Sequence, residues 1–364
     1  MTDRRSSKIE DRKPRVALLP SDDGPCGFYR VLQPMMLLEK QGKIDLYLRR
    51  LENGYAFAPT WFDEADVVVV QRLQGAIPTP DQYSHALAFE DAVKAAGKRV
   101  VYEIDDDLAR TSSGPTRSAR VNATSRLVAS CGWFTTTTHY AAKHLGGGHP
   151  APRVIPNGLD VEMWRPPGYI PRSNRQTSRV RIVYAASRMH AADVQHLINP
   201  FRWIANRFPL VRFVLAGERY PELLRALGGR MEYAGQVSMK EWPAFARSLD
   251  GDIWVAPLQD SRFARSKSNL KWLEATAVGA AVVASPTEPY RVGPDGEPWK
   301  ERPMFHARTG VEWTLALEHL VEHPEKRRAL VERSIAVVHK HYTAQHTADA
   351  WMKVIQEVTD AGRF

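Results

Sequence analysis

The sequence predicts an α/β chain of two Rossmann-like, doubly wound domains, each a parallel sheet covered by helices. Three observations predict it. At 364 residues the chain exceeds what one hydrophobic core supports. Short β-branched runs alternate with helical patterns through both halves, as in sheets whose parallel strands are joined by helices. Between the two alternations, residues 165–179 are rich in Pro, Arg and Ser and carry no periodicity, which predicts a linker. The expected division is residues 1–165, residues 166–340, and a C-terminal helix at 341–364 that packs back on the first domain.

In the first half the predicted strands are Val16–Leu19, Ile44–Leu48, Asp66–Gln71, Arg99–Ile104 and Trp133–Thr137. Helical spacing or composition fills the gaps at Arg30–Gln41, Asp81–Ala96, Ala119–Ala129 and Thr138–Leu145. The second half repeats the scheme, with strands at Val180–Ala185, Val211–Ala216, Met231–Ala234, Asp252–Pro257, Ala281–Ser285 and Met304–His306. Helices follow at Val311–Glu322, Pro324–Lys340 and Ala344–Val358. Open parallel sheets bind ligands beyond the carboxyl ends of their strands, where strand order reverses. Two such sheets facing a cleft would therefore place the chemistry in the residues just after each strand.

Composition narrows the class. The chain is 43% hydrophobic and 25% charged, ordinary values for a globular protein. Its longest uncharged apolar stretch, Ala275–Pro286, falls short of the roughly 20 residues a membrane helix needs. Met1–Arg15 lacks the apolar core of a signal peptide and reads as a frayed tail. Cys26 and Cys131 make no disulfide framework and no CxxC pair, which suits a reducing cytoplasm. A net charge of +9 calls for an anionic partner: a nucleoside diphosphate, a nucleic acid or a lipid headgroup. His139, His144 and His149 fit no zinc spacing, and Walker A, GxGxxG and GxSxG patterns are absent from the sequence.

The segment Phe263-Ala-Arg-Ser-Lys-Ser-Asn-Leu-Lys-Trp-Leu-Glu274 follows a predicted strand and opens a helix. A helix start offers unpaired N–H groups and partial positive charge, so a phosphate belongs beside Lys267, Ser268, Asn269 and Leu270. Ser268 or Asn269 is the expected cap. Lys267, Lys271 and Glu274 at i, i+4 and i+7 gather two cations for a diphosphate and a carboxylate for ribose hydroxyls.

The run Lys267-Ser-Asn-Leu-Lys-Trp-Leu-Glu-Ala-Thr-Ala-Val-Gly-Ala-Ala-Val-Val-Ala-Ser285 resembles the sugar-nucleotide segment of family 4-type GT-B glycosyltransferases (glycosyl transferases group 1), in a branch common in phage and bacterial genomes. Glu274 matches the second glutamate of the family's E-x7-E motif, while the first falls on Ser266. Val154-Ile-Pro-Asn-Gly-Leu-Asp160 resembles the family's interdomain signature. Tyr184-Ala-Ala-Ser-Arg-Met-His190 resembles the loop that approaches the nucleotide phosphates, which implies donor contacts from Ser187, Arg188 and His190. The family's Lys-Gly pair just downstream is replaced by Ala192-Asp193.

In the first half, Val100-Val-Tyr-Glu-Ile-Asp-Asp-Asp-Leu108 ends a strand in three carboxylates. Crowded carboxylates need a raised pKa or a cation partner. Asp105, Asp106 and Asp107 are therefore candidates for the general base that activates an acceptor hydroxyl, with a metal held by Asp105 and Asp107 as the alternative. Gly24-Pro-Cys-Gly-Phe-Tyr-Arg30 follows the first strand and resembles the acceptor-side loop of the same enzymes, which assigns Gly27, Tyr29 and Arg30 to the acceptor.

Together these readings predict transfer of a sugar from a nucleoside diphosphate sugar, a UDP-sugar foremost, to an acceptor hydroxyl, with no metal. DNA carrying modified bases is one acceptor candidate, through the arginines at 165, 172, 175, 179 and 181, and glycan, lipid or protein are the others. The competing classes are a non-catalytic nucleic-acid-binding module on the same fold and a sugar-nucleotide epimerase.

Overall fold

A computed structural model describes residues 12–48, 64–72, 91–107 apart from 92 and 96, 114–146, 149, 151–172 and 179–361. Most of the predicted helix Asp81–Ala96 lies outside these residues, as do Arg175 and the side chain of Arg188.

The chain divides into two compact units, Met1–Ile155 with Gln345–Phe364, and Pro156–Ala344. Each holds one six-stranded parallel sheet. The first comprises β1 (Arg15–Leu19), β2 (Asp45–Leu48), β3 (Val67–Gln71), β4 (Arg99–Glu103), β5 (Trp133–Thr136) and β6 (Arg153–Val154), in the order β2-β1-β3-β4-β5-β6. The second comprises β7 (Arg181–Ala186), β8 (Arg212–Gly217), β9 (Met231–Gly235), β10 (Ile253–Ala256), β11 (Ala281–Ala284) and β12 (Phe305–His306), in the order β12-β11-β10-β7-β8-β9. Strand order therefore reverses between β1 and β3 in the first unit and between β7 and β10 in the second. β6, only two residues long, is too short to show periodicity and was not expected from the sequence.

The continuous apolar runs are explained by burial on both faces of each sheet. In the first unit Val16, Leu18, Val67, Val69 and Val101 face Val31, Met35 and Leu38, and the same cluster contains Trp351, Val354, Ile355 and Val358. Ala17, Leu19, Val68, Val70, Val100 and Tyr102 pack on the other face with Leu127, Val128 and Phe134. In the second unit Ile182, Phe213, Leu215, Val255 and Val283 meet Leu197, Phe201, Trp313 and Leu317.

The aperiodic stretch after Arg165 lies inside the second unit, because the chain changes units at Ile155–Pro156. Arg165 donates to the carbonyls of Ala277 at 2.6 Å and Thr276 at 2.8 Å, and Tyr169 donates to that of Val278 at 2.9 Å. These donors satisfy the carbonyl end of helix Leu270–Ala277. A segment can lack periodicity because its side chains serve a neighbouring element, not because it is a linker. Among the described residues no helix is long and apolar enough to cross a membrane.

Candidate active site

The reversal point of the second sheet is bordered by the turn after β7 and the loop after β10. Gly217, at φ +88°, ends the neighbouring β8, and a Cβ there would sit 2.4 Å from the Ala186 carbonyl oxygen. Only glycine lets the two strand ends approach this closely. Beyond β7, the carbonyl of Ser187 accepts from the Tyr220 hydroxyl at 2.6 Å and from the His190 N–H at 3.0 Å. That fixes the turn Arg188–His190.

His190 Nδ1 lies 2.7 Å from Asp193 Oδ2. Burial, with Lys271 nearby, lowers the His190 pKa to about 4, so at neutral pH the imidazole is uncharged. A carboxylate accepts, so Nδ1–H donates and Nε2 keeps its lone pair. Asp193 also accepts from the Gln259 N–H at 2.6 Å, which ties the turn after β7 to the loop after β10.

That loop continues into helix Arg262–Ser266, whose first turn is capped by Ser261 accepting from Ala264 N–H at 3.0 Å. Lys267 follows in an extended conformation, so it precedes helix Leu270–Ala277 and does not share its face, contrary to the spacing argument. The expected cap is absent too. Asn269 holds the N-cap position without a side-chain cap bond, and Ser268 Oγ instead accepts from Asn157 Nδ2 at 3.0 Å. The first-turn N–H groups are thus left to something other than a side-chain cap.

Lys267 and Lys271 nevertheless converge. Lys267 Nζ lies 4.3 Å from the Phe263 ring centroid, and Lys271 Nζ lies 5.4 Å from that of Tyr184. Although Lys271 as a residue is half-buried, its Nζ is shut off from solvent and has no hydrogen-bond partner among the described residues. Burial pulls its pKa down to about 7; Asp193 and Glu274 act the other way and Lys267 lowers it further. Glu274, buried on the same helix, accepts from Trp242 Nε1 at 2.9 Å. Burial, with Asp193 and Glu274 close by, also pushes the Tyr290 hydroxyl well above its usual range. The residues the structure adds to the sequence-based set are therefore Asp193, Tyr184, Trp242 and Tyr290. Asp193 had left a trace as the departure from the family's Lys-Gly pair, and Tyr184 as the first residue of the phosphate-loop motif, whereas Trp242 and Tyr290 had left none.

The first unit settles its charges differently. Arg72 follows β3 in the left-handed region at φ 48°, and its guanidinium pairs with Asp105 and, at 3.4 Å, with Asp106. Arg72 is the cation partner that the crowded carboxylates required. Asp105, Asp106 and Asp107 are all buried, and the Asp105 carbonyl accepts from Thr137 Oγ1 at 2.6 Å.

The expected acceptor loop turns out to be mostly internal. Arg30 is 1% exposed, with Nε 2.7 Å from Glu103 Oε1 and Nη1 donating to the Ile155 carbonyl. It is an internal ion pair, not an anion-binding group. Burial pushes Glu103 up to about 7 against the pull of Arg30. Tyr29 is buried, edge-on to Phe28 at 5.3 Å. Gly27 N–H donates to Asp22 Oδ1 at 3.0 Å, and a Cβ on Gly27 would come within 1.8 Å of the Asp22 carbonyl oxygen.

The expected basic strip is largely consumed as well. Arg172 is buried, with Nε 2.7 Å from Asp252 and Nη1 paired with Asp250. Arg181 pairs with Glu232 at 2.9 Å, and Arg165 serves the carbonyls described above.

Comparison with known proteins agrees with this architecture. Residues 195–353 match the family described as glycosyl transferase-like. No curated protein sequence matches the chain. A sucrose-phosphate synthase from Thermosynechococcus elongatus superposes with a TM-score of 0.65 at 14% identity, over 96% of this chain and 100% of that one. HepE from Anabaena, solved in complex with UDP-glucose, superposes at 0.66 and 15% identity, over 95% of this chain and 99% of that one. An alpha-glucosyltransferase, solved with UDP-glucose and DNA containing an abasic site, superposes at 0.67 and 10% identity, over 94% and 99%. Residues 195–353 thus carry a glycosyl transferase-like domain, and the chain as a whole shares its fold of two Rossmann-like units with these glycosyltransferase structures.

Proposed function

We propose that the protein transfers a glycosyl group from a UDP-sugar to an acceptor hydroxyl, with the donor held at the reversal point between β7 and β10. One observation carries this reading: a buried, unpartnered Lys271 Nζ beside Lys267, at the uncapped start of helix Leu270–Ala277. A buried cation without a partner is unfavourable on its own and becomes favourable when an anion fills the space. The diphosphate supplies that anion. Lys271, Lys267, Arg188 and the helix N–H groups would then stabilise the charge that develops on the leaving diphosphate, a contribution of about 3 kcal/mol per donor. Glu274, held by Trp242, would take the ribose hydroxyls, and His190 with Asp193 would fix the turn against the phosphates.

On the acceptor side, one of Asp105, Asp106 and Asp107 would orient or deprotonate the hydroxyl while Arg72 keeps the group compact. With lysines and N–H groups against the diphosphate, the reaction needs no metal. Calorimetry is the test: UDP should bind the wild type and show no detectable binding to Glu274→Ala, and turnover should persist in EDTA. Unchanged affinity in the variant would refute the donor assignment, and turnover lost in EDTA and restored by Mn²⁺ would make Asp105 and Asp107 metal ligands.

DNA stands as one acceptor class, on the net charge of +9 and on the structural likeness to an alpha-glucosyltransferase solved with DNA. The internal pairing of Arg172 and Arg181 takes away part of its sequence support. Glycan, lipid and protein acceptors belong in the same incorporation assay. Cys26 and Cys131, neither of them in a disulfide, suit a cytoplasmic setting.

A further inference from the structure

The second unit has another concavity, beyond the ends of β11 and β12. It encloses about 490 Å³ and is lined by Arg291, Arg302, Arg308, His306 and Trp299, with prolines 286 and 298 completing the floor. Arg291 is paired with Glu288 at 2.7 Å. Neither Arg302 nor Arg308 forms a side-chain ion pair among the described residues, and both are exposed. Glu312, the carboxylate at this rim, is engaged by the backbone, accepting from Arg308 N–H at 2.6 Å and Thr309 N–H at 3.3 Å. Guanidinium groups therefore dominate the field in the cavity.

Its aromatic wall is fixed in advance. Trp299 Nε1 and His306 Nε2 both donate to the Tyr290 carbonyl at 3.0 Å, and the Trp299 ring stands edge-on to Trp272 at 5.9 Å. An inorganic anion would use only the arginines. A ligand that also carries a ring would use the face of Trp299 and the prolines, which otherwise leave apolar surface exposed to water. On helix Glu288–Arg291, Arg291 lines the cavity, while Tyr290 lies close enough to Asp193 and Glu274 of the proposed donor site to feel their charge.

We propose that this cavity binds a phosphate ester with an apolar-faced ring, either a sugar phosphate or a nucleoside monophosphate, while the donor site is occupied. Arg302 and Arg308 hold the phosphate and Trp299 holds the ring. Isothermal titration of the whole chain saturated with UDP tests it, with glucose 6-phosphate, UMP and inorganic phosphate as separate titrants. At least one ester should bind saturably and more tightly than inorganic phosphate. Arg302→Gln with Arg308→Gln should weaken that binding about tenfold or more and leave UDP affinity unchanged. The proposal is overturned if neither ester saturates at millimolar concentration, if inorganic phosphate binds as well as both, or if binding survives the double replacement. Should UDP itself not bind, the titrations run without it decide the cavity on its own, and the donor assignment fails separately.

Discussion

The two units build the same sheet and place charged groups at the same end of it, yet they neutralise those groups in opposite ways. In the first, the described basic groups at the reversal point have acidic neighbours: Arg30 with Glu103, and Arg72 with Asp105 and Asp106. In the second, the Lys271 Nζ is buried with no hydrogen-bond partner among the described residues, and burial holds the His190 imidazole beside it neutral at pH 7. A paired charge is already compensated, whereas a buried cation without a partner gains when an anion comes to it. Fold alone would have assigned both crevices the same role, and electrostatics separates them.

The comparison is broken most forcefully at Arg30. Arg30→Met leaves the Glu103 carboxyl buried without its partner, which should cost about 3–5 kcal/mol in urea denaturation. UDP affinity should not change, because Arg30 belongs to the other unit. A variant as stable as wild type would show that the pair is not what completes the first site.

Lys271→Met should do the reverse. Removing an unpaired buried charge should keep or raise the melting temperature, while UDP affinity drops by about 2 kcal/mol, close to thirtyfold. Loss of stability with affinity intact would make Lys271 a structural residue.

The most gradual effect is in pH, smallest when read per pH unit. Lys271 ionises at about 7 in the folded chain against an ordinary 10.5. Below about pH 7 both folded and unfolded chains hold the proton, so the penalty of burying the charge is fully present. From there up to the ordinary value only the unfolded chain holds it, so stability should rise with pH across that window. Comparing wild type with Lys271→Met isolates this slope. UDP binding should run the other way, weakening above pH 7 by at most about 1.4 kcal/mol per unit as a proton must be taken up. Calorimetry in buffers of different ionisation enthalpy would detect that proton, and no uptake at pH 8 would rule out a neutral Lys271.

Much of the architecture was legible because strand runs such as Val67–Val70 and Ala281–Ala284 are buried on both faces and have no other reading. Helix Leu270–Ala277 was legible from the helical run that follows Asn269, whereas the expected sharing of one helix face by Lys267 and Lys271 was not met, since Lys267 precedes the helix in an extended conformation. What the sequence concealed was pairing at a distance. Arg30 and Arg172 looked like available cations, but their partners Glu103, Asp250 and Asp252 lie about 70 to 80 residues away in the chain. Sequence patterns of charge report which groups exist, not which of them are already neutralised. The cavity around Trp299 was hidden in the same way, since its arginines come from the end of a short helix and two loop positions.

The first unit is assembled from two pieces of chain, and that sets an order of events during synthesis. Residues 156–344 leave the ribosome as one uninterrupted stretch and can finish their core while the rest is still being made. The first unit must wait. Trp351, wholly buried and donating to the Arg30 carbonyl at 2.8 Å, comes from the closing stretch, as do Val354, Ile355 and Val358. One face of the sheet translated first is thus completed only by side chains made after the whole second unit, and until they arrive that part of its apolar surface lacks its own cover.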